Sequence, residues 1–301
     1  MNNICLLGLS RSGKTCYLYA AANVLSRGIQ SGDDSISIIP TNEQQCIRLN
    51  EGIENMEKGW WPKGSQQTMT YPFEFMIDGQ KQFPFTIYDY RGGALNDISD
   101  DAQDERNELY ETFNNSSCII FLIDGYTLLD AIDPNIIQKD RHSDNEKHFT
   151  QTEAINQIKY MELLVDKCRQ RTGMNTPILL VITKKDIFSQ EELDAGIALL
   201  RSKLPTLFSK RNDMVVGITS VALGRNLNAG CQNEEGKKPL TGVLSLNTSQ
   251  NLHIPILFAL FQGVEVNSES YQLIKRLFKS DIIKLYRGGV PAVICYEDRL
   301  I

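Results

Sequence analysis

The segment that most constrains the fold is residues 8–15, GLSRSGKT. It follows a short apolar run at residues 4–7, which predicts a buried strand, and it leads into residues 13–25, whose apolar positions recur at helical spacing. A glycine-bounded turn between a strand and a helix directs successive backbone N–H groups, and the positive end of the helix, towards one point. The pattern GxxxxGK(S/T) in this context predicts a loop that binds phosphate.

Lys14 and Thr15 carry the chemistry of this loop. We expect the ammonium group of Lys14 to neutralise the β- and γ-phosphates of a nucleotide, and the hydroxyl of Thr15 to ligate Mg²⁺, a hard ion that prefers oxygen. A chance glycine turn is the alternative, but both flanking elements fit the motif. The residues predicted to bind nucleotide here are Gly8, Ser10, Arg11, Ser12, Gly13, Lys14, Thr15 and Cys16.

A second motif, residues 89–93 (DYRGG), ends an apolar run. It matches DxxG, in which Asp89 would hold Mg²⁺ through water and the N–H of Gly92 would meet a γ-phosphate. Alone the pattern is weak, because aspartate and glycine commonly end strands, but it is much stronger after a phosphate loop. Asp124 is a competitor, since it ends another apolar run and would serve as the metal-site acid of an additional-strand ATPase. A glutamate usually follows that acid, whereas Gly125 follows here, so we favour Asp89.

A third motif predicts which base is bound. Residues 183–186 (TKKD) follow an apolar run and match (N/T)KxD, although the tetrapeptide alone would also suit a solvated charge cluster. A carboxylate can accept from the N1–H and 2-amino groups of guanine together, whereas adenine offers an acceptor at N1, so such a site discriminates strongly. We expect the Lys184 stem to lie along the base and a backbone N–H of residues 219–221 to reach guanine O6. The predicted base-binding residues are Thr183, Lys184, Asp186, Ser220 and Val221.

A threonine before the second predicted strand is a candidate for the loop that closes over Mg²⁺ and the γ-phosphate. Thr68 is favoured for this role and Thr70 is its rival. Threonine also suits a strand for packing reasons alone, so the β-propensity of the segment explains both residues equally well.

Short apolar runs alternate with amphipathic stretches along the chain, which predicts an α/β fold with parallel strands. We expect one domain over residues 1–263, with insertions at 28–67, 126–150 and 223–251, because long loops in a compact domain are usually functional or mobile. Residues 264–301 would form a C-terminal extension, with a helix at 271–286 and an apolar run at 290–296 as an edge strand or partner surface.

Composition narrows the possible partners and compartments. The net charge of −6 gives no strong attraction to nucleic acid or anionic membrane. The seven cysteines include no CxxC pair and the three histidines lack a metal-ligand spacing, so we expect reduced thiols and no zinc site. No signal peptide and no apolar run of about 20 residues are found, so we expect a cytoplasmic protein without a membrane span.

The motif order resembles that of the Ras-like, TRAFAC-class GTPases over residues 1–263. The resemblance implies a three-layer P-loop fold with a six-stranded, mostly parallel sheet, one antiparallel edge strand and helices on both faces. It also implies GTP or GDP and Mg²⁺ as ligands. The WWP segment at 60–62, RSGKT in the phosphate loop and DYRGG look like bacterial double-GTPase proteins of anti-phage conflict systems, so a second GTPase-like chain is a candidate partner.

Two departures from this family bear on mechanism. Gly93 stands where Ras-like proteins carry the glutamine that orients the attacking water. Ser10 and Arg11 stand where Ras has glycines, and their side chains would crowd an arginine supplied by a partner. Arg91 and Arg11 are candidates for an arginine supplied in cis, although both also suit solvated surface charges. The residues predicted to contribute to catalysis are Lys14, Thr68, Asp89, Arg91 and Gly92, and the predicted Mg²⁺ ligands are Thr15, Thr68 and Asp89.

Three functional hypotheses remain open from the sequence. The first is a GTPase switch, in which GTP with Mg²⁺ orders the loops around Thr68 and residues 89–93 and hydrolysis releases them. The second is a nucleotide-locked scaffold that assembles partners without turnover, which the missing glutamine favours. The third is an ATP-binding P-loop protein, either an ATPase or a small-molecule kinase. Partner, oligomeric state, exchange factor and the water-activating residue are open as well.

Overall fold

We analysed a computed structural model, which describes residues 2–9, 12–62, 67–90, 101–136, 149–172, 176–211, 213–229, 239–244, 249–278 and 282–293. The predicted site residues Ser10, Arg11, Arg91 and Gly92, together with Gly93, lie outside these ranges.

The described strands are β1 Asn2–Gly8, β2 Ile29–Ser31, β3 Asp34–Pro40, β4 Met69–Ile77, β5 Gln80–Asp89, β6 Ser116–Ile123, β7 Ile178–Ile182, β8 Val215–Ser220, β9 Gly224–Ala229, β10 Leu240–Leu244, β11 Lys284–Arg287 and β12 Val290–Ala292. The described helices are α1 Lys14–Ser26, α2 Glu43–Glu57, α3 Asp101–Asn114, α4 Gly125–Ala131, α5 Gln151–Thr172, α6 Gln190–Lys203, α7 Ile254–Gly263 and α8 Glu269–Leu277, and a 3-10 turn spans Lys185–Ile187.

Ten of these strands form one sheet in the order β12-β11-β8-β7-β6-β1-β5-β4-β3-β2. The central strands β8, β7, β6, β1 and β5 are parallel, and the strands outside them are antiparallel to their neighbours. The strands predicted from apolar runs are β1, β4, β5, β6, β7 and β8, and they form an unbroken block in the middle of the sheet. The mostly parallel α/β core is therefore as predicted.

The predicted size of the sheet was wrong, because two further strands extend it at each edge. Strands β2 and β3 come from the stretch at 28–67, which also contains α2, and β11 and β12 come from the C-terminal tail. Edge strands need fewer apolar residues than central ones, and β2 is only three residues long. Strands β2, β3 and β11 lack the apolar runs that predicted the central six. Strand β12 lies in the apolar run that begins at residue 290, which was predicted as an edge strand or partner surface.

Helices cover both faces of the sheet, as the sequence predicted for a three-layer fold. Along β1, Ile4 and Leu6 face a core that also contains residues of α1, α2, α7 and α8. Cys5 and Leu7 face the opposite core, which contains residues of α3, α4, α5 and α6. The period of two along a strand thus distributes one apolar run between two cores.

The predicted helix over 271–286 was wrong at its C-terminal half. Helix α8 ends at Leu277, and Lys284–Arg287 form β11, antiparallel to β8. Leu285 belongs to the core of one face and Tyr286 to the core of the other. Neighbouring residues on opposite faces indicate a strand, so tertiary pairing with β8 decides this segment.

No helix in the described parts of the chain is both long enough and apolar enough to cross a membrane.

The histidine at the start of α7 predicts a pH dependence of stability. Burial lowers the pKa of His253 below its ordinary value. The unfolded state therefore binds more protons than the folded state as the pH falls through the ordinary histidine range, so acidification lowers the free energy of unfolding. We expect His253→Gln to lose less stability than the wild type between pH 7.5 and 5.5, measured by urea unfolding. An equal loss in both proteins would contradict the role of His253, because the other titrating groups are common to both.

Candidate nucleotide site

The predicted motifs meet at one edge of the sheet. Strand β1 is parallel to β5 on one side and to β6 on the other, and β6 is followed in turn by β7 and β8. The carboxyl ends of all five strands therefore lie side by side, and α1 begins at the same edge. Ligands of open α/β sheets bind in this position.

The phosphate loop depends on two glycines for different reasons. A Cβ atom at Gly8 would lie 2.8 Å from the carbonyl oxygen of Leu122 in β6, so the loop passes too close to its neighbour for a side chain. Gly13 has open space around it but a φ of 83°, in the left-handed region that glycine adopts readily. Between them the N–H of Ser12 donates to the carbonyl of Leu9 at 3.1 Å and closes a tight turn.

Lys14 lies inside this loop. Its side chain is buried, and Nζ donates to the carbonyl oxygen of Gly8 at 3.0 Å. Burial lowers the pKa of Lys14, and the negative charge of Asp89 opposes that shift. The ammonium group is therefore held at the N-terminus of α1 with little solvent around it, where an anionic ligand would stabilise its charged form.

Thr15 and Asp89 join the first helix to the end of β5. The hydroxyl of Thr15 donates to Oδ2 of Asp89 at 3.3 Å, and Asp89 is completely buried. The pair presents oxygen atoms from two separate elements beside the phosphate loop. Mg²⁺ usually takes one or two such protein oxygens and completes its shell with water and substrate phosphates. The residues present therefore fit Mg²⁺.

The contacts of Asp124 differ from those expected of the metal-site acid in the ATPase alternative. Its Oδ2 accepts from the N–H of Thr127 at 3.0 Å and caps the N-terminus of α4. Its Oδ1 lies 2.9 Å from Nζ of Lys184, and that ammonium group also lies 4.3 Å from the ring centre of Tyr126. Since the hydroxyl of Thr15 donates to Asp89, the geometry favours Asp89 as the acid of the metal site.

The base loop is fastened to β6 through Thr183. Both the N–H and the hydroxyl of Thr183 donate to the carbonyl of Ile123, at 2.9 and 3.1 Å. Lys184 has a φ of 56°, and the 3-10 turn that contains Asp186 follows directly. Thr183 thus sets the position of the turn, and the left-handed backbone conformation of Lys184 changes the direction of the chain.

Among residues 219–221, one of which was predicted to offer an N–H to guanine O6, the N–H of Val221 is engaged within the protein. That N–H donates to the carbonyl of Ile182 at 2.8 Å, and the carbonyl of Val221 accepts from the N–H of Lys185 at 2.9 Å. The carbonyl of Ser220 accepts from the side-chain amide of Asn251 at 3.1 Å. The loop after β8 therefore holds the base loop in place through its backbone.

A single pocket contains residues of both the phosphate loop and the base loop. From the first come Gly13 and Cys16, and from the second come Thr183, Lys184 and Asp186. Burial raises the pKa of the Cys16 thiol to about 12, so it stays neutral. The structure therefore brings Asp186 and the phosphate loop together. The pocket is also lined by Trp61, Leu223 and Leu227.

Thr68 lies at the same edge of the sheet. Strand β4 begins at Met69, which pairs with Asp89 of β5, so Thr68 precedes the residue opposite the metal-site acid. Its rival Thr70 lies inside β4, is exposed, and pairs with Tyr88. The choice of Thr68 stays a prediction.

Several residues of the site were not found from the sequence. The apolar wall formed by Leu223 and Leu227 lies in a stretch rich in glycine, asparagine and serine, whose composition predicted a loop. The two tryptophans at 60 and 61 were noted, but packing over a nucleotide and anchoring of a long loop were both open. The signal for the Asp124 cap was present, because aspartate before a helix is a common N-cap.

The chain is similar to several solved structures at low sequence identity. No family model and no curated protein matches the chain. Solved structures with similarity include elongation factor SelB of Methanococcus maripaludis in complex with the GTP analogue GppNHp, at 15% identity and a TM-score of 0.35 over 74% of this chain and 30% of that one. They include the G domain of FeoB from T. maritima, at 12% identity and a TM-score of 0.30 over 73% and 87%. The SRb-GTP/SRX complex from Chaetomium thermophilum aligns at 14% identity and a TM-score of 0.40 over 76% and 93%.

These likenesses are too distant to carry an argument, and this chain spans less than a third of the SelB chain. The fold rests on the topology. A central block in the order β8-β7-β6-β1-β5-β4, with β4 antiparallel and a glycine-rich loop between β1 and α1, is the Ras-like P-loop fold.

The contact between α4 and the base loop gives a test of the site. A Cβ atom at Gly125 would lie 2.5 Å from the carbonyl oxygen of Thr183, so Gly125→Ala must displace the base loop. We expect guanine nucleotide affinity to fall roughly tenfold or more, because small displacements of a positioning residue are costly. Titration with fluorescent mant-GDP measures it.

The matched control is Gly196→Ala in α6. Its Cβ would contact the flexible end of Leu128, 2.9 Å away, and alanine favours a helix. Equal nucleotide affinity in the two variants would show that the contact between Gly125 and Thr183 does not position the base loop.

Proposed function

We propose that this chain is a guanine-nucleotide-binding protein that hydrolyses GTP to GDP with Mg²⁺ and signals to a protein partner through its switch loops. The observation that carries the proposal is the shared pocket of Gly13, Cys16, Thr183, Lys184 and Asp186. A phosphate loop and a carboxylate suited to a base in one pocket are the two parts that nucleotide binding requires. The cytoplasm, which supplies both GTP and Mg²⁺, is the proposed compartment.

The phosphates would be held by the loop and the start of α1. Lys14 can turn from the carbonyl of Gly8 to a phosphate oxygen, which gives its buried ammonium group a full negative partner. The backbone N–H groups around Gly13 and the helix dipole add to the attraction. When bound between Thr15 and Asp89, Mg²⁺ would neutralise negative charge on the β- and γ-phosphates.

The base would be read by Asp186 while Lys184 is held in place. The carboxylate of Asp186 accepts from two guanine donors, as its place in the pocket supports. The ammonium group of Lys184 is fixed by Asp124 and by the face of Tyr126, so its aliphatic stem is available to the base. The side chain of Lys184 therefore has a defined position without a ligand.

Hydrolysis would be slow or dependent on a partner. Gly93 has no side chain to orient water, so this chain would contribute positioning and charge neutralisation through Lys14 and the metal site. Arg91 and Arg11 remain the candidates for an arginine in cis, and Thr68 and Gly92 for the loops that sense the γ-phosphate. A second GTPase-like chain is the proposed class of protein partner.

The base preference is the sharpest test. We expect GDP with Mg²⁺ to bind roughly 10²-fold or more tightly than ADP, because a mismatched base would leave the half-buried carboxylate of Asp186 facing a lone pair. Asp186→Asn should lose that preference and gain affinity for xanthosine diphosphate, whose base offers an acceptor in place of the 2-amino group. Calorimetric titration of both proteins with the three nucleotides measures this. Equal affinities of the wild type for GDP and ADP would refute the assignment.

Turnover separates the switch from a scaffold that only binds. We expect single-turnover hydrolysis of GTP by the wild type to exceed the rate of free GTP, and Lys14→Ala to abolish the difference through loss of phosphate binding. The measurement is repeated with candidate partner chains. Tight GTP binding by the wild type, with a hydrolysis rate no greater than that of free GTP under every condition, would identify a scaffold instead.

A further inference from the structure

Two of the predicted insertions meet beside the base pocket. One is the end of the stretch 28–67, with Trp60 and Trp61. The other is the two-stranded ribbon of β9 and β10, within the stretch 223–251. Trp61 from the first, and Leu223 and Leu227 from the second, line the same pocket as Asp186.

The composition of this wall suits one face of a purine. A purine base has polar edges and apolar faces, and aromatic and aliphatic side chains bind the faces. Asp186 and the base loop supply the polar partner for the edge, whereas Trp61, Leu223 and Leu227 supply apolar surface next to it. No charged residue belongs to this part of the described wall, so the wall complements the face and leaves recognition to Asp186.

The ribbon is rooted at the base loop. Ala222 and Gln250 exchange two backbone hydrogen bonds, at 3.2 and 2.9 Å, directly after the loop that follows β8. Strand β9 also contacts the 3-10 turn that contains Asp186. A movement of the ribbon away from this root would therefore uncover the base side of the pocket.

The far side of the ribbon is joined to the tryptophan segment. Trp60 and Pro239 form an isolated antiparallel bridge, immediately before Trp61 on one side and before β10 on the other. Helix α2, which precedes the tryptophans, contacts β10. The segment and the ribbon are thus connected at the point where Trp61 enters the wall.

We propose that Trp61 and the β9–β10 ribbon form a clasp over the purine base, closed by the bridge between Trp60 and Pro239, and that opening of this clasp controls nucleotide release. The inference rests on the proposed guanine nucleotide site and adds a second determinant to it. Asp186 determines which base is bound, and the clasp determines how long it stays. The bridge pairs one residue on each side and is not part of a longer ladder, which suits a contact that must open in each exchange cycle.

A reversible cross-link tests the bridge. Residues opposite each other in an antiparallel pair lie within the Cα separation that a disulfide needs. We expect the double variant Trp60→Cys with Pro239→Cys, in a Cys231→Ser background, to release mant-GDP at least about tenfold more slowly when oxidised than when reduced, because the bond removes the open population. The background variant without the added cysteines, oxidised and reduced, is the control. Its Cys16 thiol has a pKa raised to about 12 by burial and resists mild oxidants.

Substitution of the wall residue tests the other half of the proposal. We expect Trp61→Ala to release mant-GDP about tenfold faster than the wild type through loss of stacking. Trp61→Phe should retain most of the slow release, because it keeps an aromatic face. The thermal unfolding of each variant without nucleotide controls for damage to the fold.

The outcomes are distinct for the two proposals. Equal release rates in the oxidised and reduced double variant, failure of the disulfide to form, or unchanged release from Trp61→Ala would each overturn the clasp. If the wild type does not bind mant-GDP at all, the proposed function is overturned and the clasp with it. A Trp61→Ala variant that binds GDP with the wild-type preference over ADP but releases it faster would support both.

Discussion

The hydrogen bond between the Thr15 hydroxyl and the Asp89 carboxylate is the contact on which the site depends. It is made only because β1 and β5 are parallel neighbours, so that the start of α1 and the end of β5 meet at one edge of the sheet. The same edge receives the end of β7, where two hydrogen bonds from Thr183 to Ile123 fix the base loop. Burial of Lys14 and Asp89 beside each other is costly in an empty site, and an anionic ligand with its metal ion would relieve that cost.

Much of the fold was predictable from apolar runs. Strands β6 and β7 are buried on both faces and are rich in Ile and Leu, which is a clear strand signal. Strands β4 and β5 instead alternate buried with less buried residues over much of their length, which is the other pattern typical of a strand. Strands β2, β3 and β11 were missed because their structure depends on pairing with a neighbour and not on their own composition, whereas β12 lies in the apolar run that was predicted as an edge strand or partner surface. Leu285 and Tyr286 illustrate this, since a helical spacing fits the sequence around them and only the partner β8 makes them a strand.

The residues of the candidate site likewise fall into those that a sequence motif identifies and those that none does. Residues predicted to bind phosphate or guanine were identified from motif spacing, and the structure brings Gly13 of the phosphate loop and Asp186 of the base loop to one pocket. Residues that act by shape, such as Leu227, or by holding another residue, such as Asp124, carry no motif. The predicted contact of residues 219–221 with guanine O6 stays a prediction, and the N–H of Val221 shows what the sequence cannot reveal, namely that a neighbouring carbonyl already accepts it.

The adjacency of Trp60 and Trp61 has a practical consequence. They are the two tryptophans of the whole chain, and one of them lines the pocket while its neighbour forms the bridge to Pro239. Tryptophan fluorescence from the unlabelled protein therefore originates from this segment alone. The emission wavelength and its quenching by small solutes report the solvent exposure of the pocket wall, so the protein carries an optical probe of its own pocket.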